Sequence, residues 1–392
     1  FDLLVDEDTL NDTERSHTTE QIAYVVFGQS VTTPPTIDAA FASPSTIMEG
    51  GSALLEWETT GASSVSIDQG VGAVSLDGTV SVSPATTTTY TITATGPAGS
   101  VDAQVTVTVT PAPSITFERG IVTNLSTDSW TTVNLTNTYS SMVVVCTPNH
   151  DVNTQPVAVR IRNAGGSSFE VSLSNASGLV SSISGVSAHY FVIEEGVYTL
   201  ATHGVAMEAV KYTSTVTDRK NSWNGEARSY QQAYSQPVVL GQVMTANDPN
   251  FSVFWSRGSA RTNPPSATEL WVGKQVAEDT TTTRADETVG YVVIEAGSGQ
   301  IGTVPFVAGV GADSISGVGN SPPYAYSFSG LSSPSVAVVS VAAIDGGNGG
   351  WPILYGATPL SATQIQLAFD EDTIADTERA HTNEQAAYIV FD

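Results

Sequence analysis

The sequence predicts an all-β protein, a string of small antiparallel β-sandwich domains, and three observations carry that expectation. Apolar and polar residues alternate along short stretches such as SALLEWETT, TTTYTITATG and AQVTVTV, the period of a half-buried strand. Gly, Pro, Ser and Asn clusters separate these stretches at short intervals, as turns do between the strands of sandwiches. Finally, DEDTLNDTERSHTTEQIAYVVF at 6–27 returns as DEDTIADTERAHTNEQAAYIVF at 370–391, with sixteen of the twenty-two positions identical. Such self-similarity is an internal repeat, and the fold has to be read through it. No helical period competes with the strand pattern, so little helix is expected.

Composition narrows the function. The 392 residues are enough for two to four domains, and 13 basic against 39 acidic residues give a net charge of −26. That balance opposes binding to nucleic acid or to an anionic membrane surface. Only three lysines occur, Lys211, Lys220 and Lys274. The single cysteine, Cys146, sits in the apolar run MVVVC and has no partner for an internal disulfide. No apolar run approaches the ~18 residues that a membrane span needs.

Taken in order, residues 1–28 read as a partial copy of the terminal element, with LLVDED and AYVVF as its two strands. Residues 29–36, QSVTTPPT, are a linker, and 110–114, TPAPS, are a second one. Between them, 37–109 read as a small antiparallel sandwich. From 115 onward one plan recurs three times, over 115–200, 201–300 and 301–392. Each copy has an apolar strand after an aromatic-containing turn (SSMVVVC, SQPVVLGQV, SPSVAVVSVAA), a middle strand pair, and a closing strand (HYFVIE, GYVVIE, AYIVF). Each copy is expected to be a separate sandwich.

The stretch GGSALLEWETTGASSVSID…GTVSVSPATTTTYTITATGPAGS resembles bacterial immunoglobulin-like modules, a resemblance that implies Trp57 as the core tryptophan of an inner strand with Tyr90 packed near it. The order W-x-x-V…Y-x-x-M-V-V…V-A-V-R-I-R-N…F-E-V at 130–171, closing on HYFVIEEG at 189–196, resembles the H-type lectin fold. The stretches from EEGVYTLATHG, PVVLGQVMTANDPN and DGGNGGWPILYG onward are similar to tandem modules of large bacterial extracellular proteins. These resemblances imply an extracellular or cell-surface location and a modular, adhesive role; no sugar-binding residue is carried over from the lectin likeness.

The acidic repeat holds the only candidate chemistry. Asp6, Asp8, Asp12 and Glu14 are answered by Asp370, Asp372, Asp376 and Glu378, and His17 and Glu20 by His381 and Glu384. Clustered carboxylates suit Ca²⁺, which takes six to eight oxygens in flexible geometry. The spacing is not that of an EF-hand, because Leu10 and Ile374 hold would-be ligand positions and the turn glycine is absent. The plainer reading is a hairpin tip in which Arg15 or Arg379 pairs with a carboxylate and the histidine bonds backbone. No nucleophile with a recognisable base and no phosphate-binding loop is present, so the chain is not expected to be an enzyme and needs no cofactor. Trp255 and Trp351 lie in strand-like runs and have two readings, core packing or exposed platforms that stack a sugar.

Residues 1–27 carry the end of a module without its beginning. Leu3, Ile22, Val25 and Phe27 would then be apolar positions that need cover, supplied by adjoining repeats of a longer chain or by β-strand addition to another copy in a head-to-tail filament. The expected function is a structural or adhesive segment of a bacterial extracellular surface or matrix assembly. A carbohydrate-binding array of a larger secreted adhesin or polysaccharide-acting enzyme is the alternative.

Overall fold

The computed structural model describes residues 2–6, 10, 18–26, 33–111, 113–177, 179 and 181–392. Contacts divide the chain into two compact units, 1–111 and 112–392. The chain is 54% strand and 2% helix, in line with the all-β expectation. Among the described residues no helix is long and apolar enough to cross a membrane.

The first unit contains β1 (Thr36–Ser43), β2 (Thr46–Met48), β3 (Ala53–Thr60), β4 (Ser64–Ile67), β5 (Gly72–Val74), β6 (Gly78–Val82), β7 (Thr88–Gly96) and β8 (Gly99–Thr110). They form a three-stranded sheet, β1-β3-β6, and a five-stranded sheet, β2-β8-β7-β4-β5. Alternation in β3 buries Ala53, Leu55 and Trp57, and in β7 Tyr90, Ile92 and Ala94; all six join one core with Val105 and Val107 of β8. The buried Trp57 indole still needs an acceptor, and its N–H finds the Ser75 carbonyl at 3.0 Å. Residues 2–6 and 18–26 form no strand, contrary to the strands expected at LLVDED and AYVVF. Phe27 lies outside the described residues.

The second unit holds three successive modules. Module A has β9 (Phe117–Ser126), β10 (Thr131–Tyr139), β11 (Met142–His150), β12 (Val157–Asn175) and β13 (Ser184–Glu194). Module B has β14 (Gly196–Tyr198), a helical turn α1 (Leu200–His203), β15 (Met207–Ser214), β16 (Thr217–Asp218), β17 (Glu226–Arg228), β18 (Pro237–Val243), β19 (Val253–Arg257), β20 (Leu270–Gln275) and β21 (Glu287–Glu295). Module C has β22 (Gly297–Ile301), β23 (Val304–Val310), a 3₁₀ turn at Val318–Asn320, β24 (Tyr324–Ser327), β25 (Val336–Ala343), β26 (Trp351–Tyr355), β27 (Gln364–Asp370) and β28 (Gln385–Phe391).

These modules are not three separate sandwiches. A six-stranded sheet, β24-β27-β26-β11-β13-β9, joins C to A, and β16-β20-β19-β25-β28-β23-β22, with β17 beside β20, joins B to C. The joints repeat one relation: β11 of A lies parallel to β26 of C at Asn149 and Leu354, and β25 of C lies parallel to β19 of B at Val341 and Trp255. Between B and A the Gln242 side chain of β18 donates to the Val159 carbonyl of β12 at 3.3 Å. The reason is written in the apolar runs. Strands β18 and β25 are buried at every position and β11 at all but Asn149, a pattern of strands covered on both faces. An isolated two-layer sandwich would leave one face wet. One core therefore holds Val144 and Phe191 of A, Leu240 and Ile294 of B, and Val338 and Ile389 of C.

Where β11, β18 and β25 converge, a cavity of about 40 Å³ is lined by Cys146, Thr147, Gly241, Gln242, Ser340 and Val341, among others. Its polar groups are already paired across modules. The Thr147 hydroxyl donates to the Val339 carbonyl and accepts from the Val339 amide, and Ser340 serves Gly241 in the same two ways. Burial pushes the Cys146 thiol well above its usual range, so it behaves as a small apolar side chain.

Each closing strand ends on a carboxylate that fastens its module. Glu194 accepts from the amides of Ser140 and Ser141, Glu295 from those of Ser235 and Gln236, and Asp392 from those of Ser332 and Ser333, all at 2.6–3.0 Å. Each pair of amides belongs to the turn that opens the apolar strand. The acid after the Y-x-V-[IF] motif is thus the latch of the repeat.

Candidate functional site in the acidic loop

The loop between β27 and β28 passes from the six-stranded sheet to the eight-stranded one, and its side chains hold that crossing in place. Asp370, fully buried at the end of β27, takes a bidentate pair from Arg379, Nε to Oδ1 and Nη2 to Oδ2, both at 2.8 Å. The remaining Arg379 nitrogen, Nη1, donates to the Thr154 carbonyl of module A at 2.7 Å. His150 of module A places Nε2 3.5 Å from Asp370 Oδ2, and burial holds this imidazole below its usual pKa, in its neutral form. The Thr373 amide reaches the Ala176 carbonyl, again in module A, at 3.0 Å.

Asp372 ties the loop to module B. Its Oδ2 accepts from the Glu278 amide at 2.7 Å and its Oδ1 from the Ile374 amide at 3.0 Å. Burial nevertheless pushes its carboxyl up to about 6. Lys220 Nζ meets Glu278 Oε1 at 2.5 Å, and the Asn221 amide reaches the Gly347 carbonyl at 3.1 Å.

Beneath the loop lie Glu371, His381 and Glu384, all buried. Glu384 accepts from the amides of Asp345 and Gly346 at 2.8 and 2.7 Å, and faces His381 Nδ1 at 3.3 Å. Burial raises it to about 8 despite those donors. Glu371 lies 3.8 Å from His381 Nε2, and neither of its oxygens has a hydrogen-bond partner among the described residues. Burial first, then the nearby Glu278 and Glu378, drive it up to about 9, so it is a neutral acid at physiological pH. Burial likewise depresses the His381 imidazole. The fit is close: a Cβ on Gly346 would lie 2.2 Å from His381 Cε1.

This geometry does not assemble the expected calcium site. Both Asp370 oxygens are taken by Arg379, and the two Asp372 oxygens by the amides of Glu278 and Ile374. Asp376 and Glu378 are exposed, with Asp376 Oδ1 capping the Glu378 amide at 3.0 Å. Among the described residues no group of three or more His, Cys, Asp or Glu is set to hold a metal. Of the N-terminal copy, Asp6 is exposed, whereas Asp8, Asp12 and Glu14 lie outside the described residues.

Neither tryptophan is a sugar platform. Trp255 is fully buried, with its N–H on Asp218 Oδ2 at 3.1 Å, and Trp351 is buried with its N–H on the Val157 carbonyl at 3.0 Å. Leu3, Ile22 and Val25 are exposed, so the structure leaves these three apolar side chains without cover from this chain's cores.

Glu278 is the member of the cluster that sequence reading missed. Its signal was available: VAEDT at 276–280 matches FDEDT at 369–373, which sets Glu278 and Glu371 at equivalent places in modules B and C. Comparison of the chain with family models, with curated proteins and with solved structures finds no significant match.

Proposed function

We propose that the chain is a non-enzymatic structural or adhesive segment of a bacterial extracellular surface or matrix assembly, composed of an immunoglobulin-like spacer and an H-type-lectin-like three-module body. The observation that carries this reading is the use of the acidic loop. Its buried acids, arginine and histidine bind modules A, B and C to one another, so the groups most capable of chemistry serve as fasteners. The strong negative charge keeps such a body soluble and separated from anionic surfaces. The exposed apolar residues near the N-terminus supply the means of joining one copy to the next, head to tail. Burial of Trp255 and Trp351 removes the aromatic support for the carbohydrate-binding alternative.

A turnover screen tests the reading. The purified chain incubated with polysaccharides, peptides and phosphoesters is expected to release no reducing ends, amines or phosphate above a heat-treated control. Release that is abolished by Glu371→Gln would replace the structural role with a catalytic one.

A further inference from the structure

We infer that Glu371, His381 and Glu278 form a binding site for one divalent transition-metal ion, of which zinc is the type, that clasps modules B and C together. The inference goes beyond the structural reading above: it names a ligand, and a site apart from the carboxylates Asp370, Asp372, Asp376 and Glu378.

Four donor atoms there have no hydrogen-bond partner among the described residues, namely both oxygens of Glu371, Nε2 of His381 and Oε2 of Glu278. All three residues are more than nine-tenths buried, and buried polar groups are ordinarily paired. They also lie together. Glu371 Oε2 is 3.8 Å from His381 Nε2, and Glu278 is the charged group that acts most strongly on Glu371. Two atoms 3.8 Å apart can both stand about 2.1 Å from one ion, at an angle of about 130°.

The histidine is set for the task. Its Nδ1 lies 3.2 Å from the Thr382 carbonyl, which only accepts, so the ring proton belongs on Nδ1 and Nε2 keeps its lone pair. The Gly349 carbonyl lies near the ring but completes no hydrogen bond with Nε2. Glu384, itself held by two amides, braces the Nδ1 side at 3.3 Å, the support that metal-bound histidines have. One imidazole nitrogen with carboxylate oxygens suits zinc and its neighbours rather than calcium, which takes oxygen alone.

Only Glu371 and His381 face each other as the loop stands, which is why no group of three is preformed. Glu278 is held by Lys220, whose Nζ meets Oε1 at 2.5 Å. On binding, Glu278 gives its unpartnered Oε2 to the ion while Oε1 stays on Lys220. The proton of neutral Glu371 leaves to solvent, and the ion takes its place. Residues 374–378, next to these donors in the chain, are exposed, and Asp376 and Glu378 among them draw cations toward the site.

The test is a zinc titration of the full chain after metals are stripped with a chelator, read by a competing chromophoric indicator and by metal analysis of the dialysed protein. One Zn²⁺ per chain is expected, with a rise in melting temperature. Glu371→Gln keeps the shape and neutrality of the metal-free side chain, so it is expected to fold as the parent does and to bind about tenfold or more weakly. Glu278→Gln, from the other module, is expected to weaken binding to a similar extent. Asp376→Asn combined with Glu378→Gln is expected to leave the stoichiometry at one. Failure to bind one ion, or equal affinity in the parent and either single variant, overturns the inference. Loss of the ion in the double variant also overturns it, by placing the ion on the surface of the loop. None of these outcomes bears on the turnover screen, so the structural reading stands or falls separately.

Discussion

Glu371 is a buried acid kept neutral by its surroundings, and its titration should be visible in stability. Its folded pKa is about 9, that of Glu384 about 8 and that of Asp372 about 6, all raised. A raised carboxyl binds its proton more tightly folded than unfolded, so its contribution is whole below the unfolded value near 4 and is lost as pH rises through the folded one. Buried His150, His189 and His381 are depressed, so their contribution is whole above about 6.5 and is lost as pH falls through their folded values. Thermal melts are expected to show greatest stability between about pH 5 and 7, with a decline toward pH 9. Glu371→Gln should raise the melting temperature at pH 8–9 and flatten that decline; an unchanged slope would remove Glu371 from the account. The latches give a second residue-scale expectation. Gln at Glu194 or Glu295 keeps the shape but loses the charge and one acceptor, and should cost about 1–3 kcal/mol in denaturant unfolding. The pairing of an arginine with a carboxylate in the acidic repeat was legible from the sequence, because charge and spacing suffice for it. Which carboxylate it would be, and that Glu278 would join from ninety residues away in the chain, required the register of the folded sheets.

At the scale of elements, individual strands were readable and their neighbours were not. Period-two alternation marks β3 and β7 of the first unit as strands, and Trp57, the core tryptophan that the immunoglobulin-like resemblance implies, is buried there. The runs at β11, β18 and β25 also read as strands, each within a sandwich of its own copy. Their unbroken apolarity instead marks strands enclosed on both faces by neighbouring modules. Trp255 and Trp351 show the limit in another form, since an aromatic in a strand has the same sequence signature whether it faces sugar or core. The crossing from β27 to β28 depends on close approach at Gly346. Gly346→Ala is expected to lower the melting temperature of the second unit markedly, by displacing the His381 ring, whereas Gly185→Ala, at the irregularity that opens β13 where a Cβ meets nothing within 4 Å, should show only the modest strain of its positive φ. A Gly346→Ala melt equal to the parent would show that the loop is looser than described.

Over the whole molecule, the three-copy plan from 115 onward holds as a repeat of latches and strands, while the boundaries near 200 and 300 do not separate folding units. Sheets that borrow strands across modules, a core shared by all three and a loop from C that bonds A and B make residues 112–392 interdependent. Such interdependence predicts joint loss of structure, since no module keeps its own core when another opens. The most direct test is hydrogen exchange read by mass spectrometry through a denaturant titration of the full chain. Amides of β11, β18, β25 and β28 are expected to lose protection together, at one midpoint with one slope, as a single cooperative unit. Three midpoints, with breaks near residues 200 and 300, would contradict the interlocked body and restore three independent sandwiches.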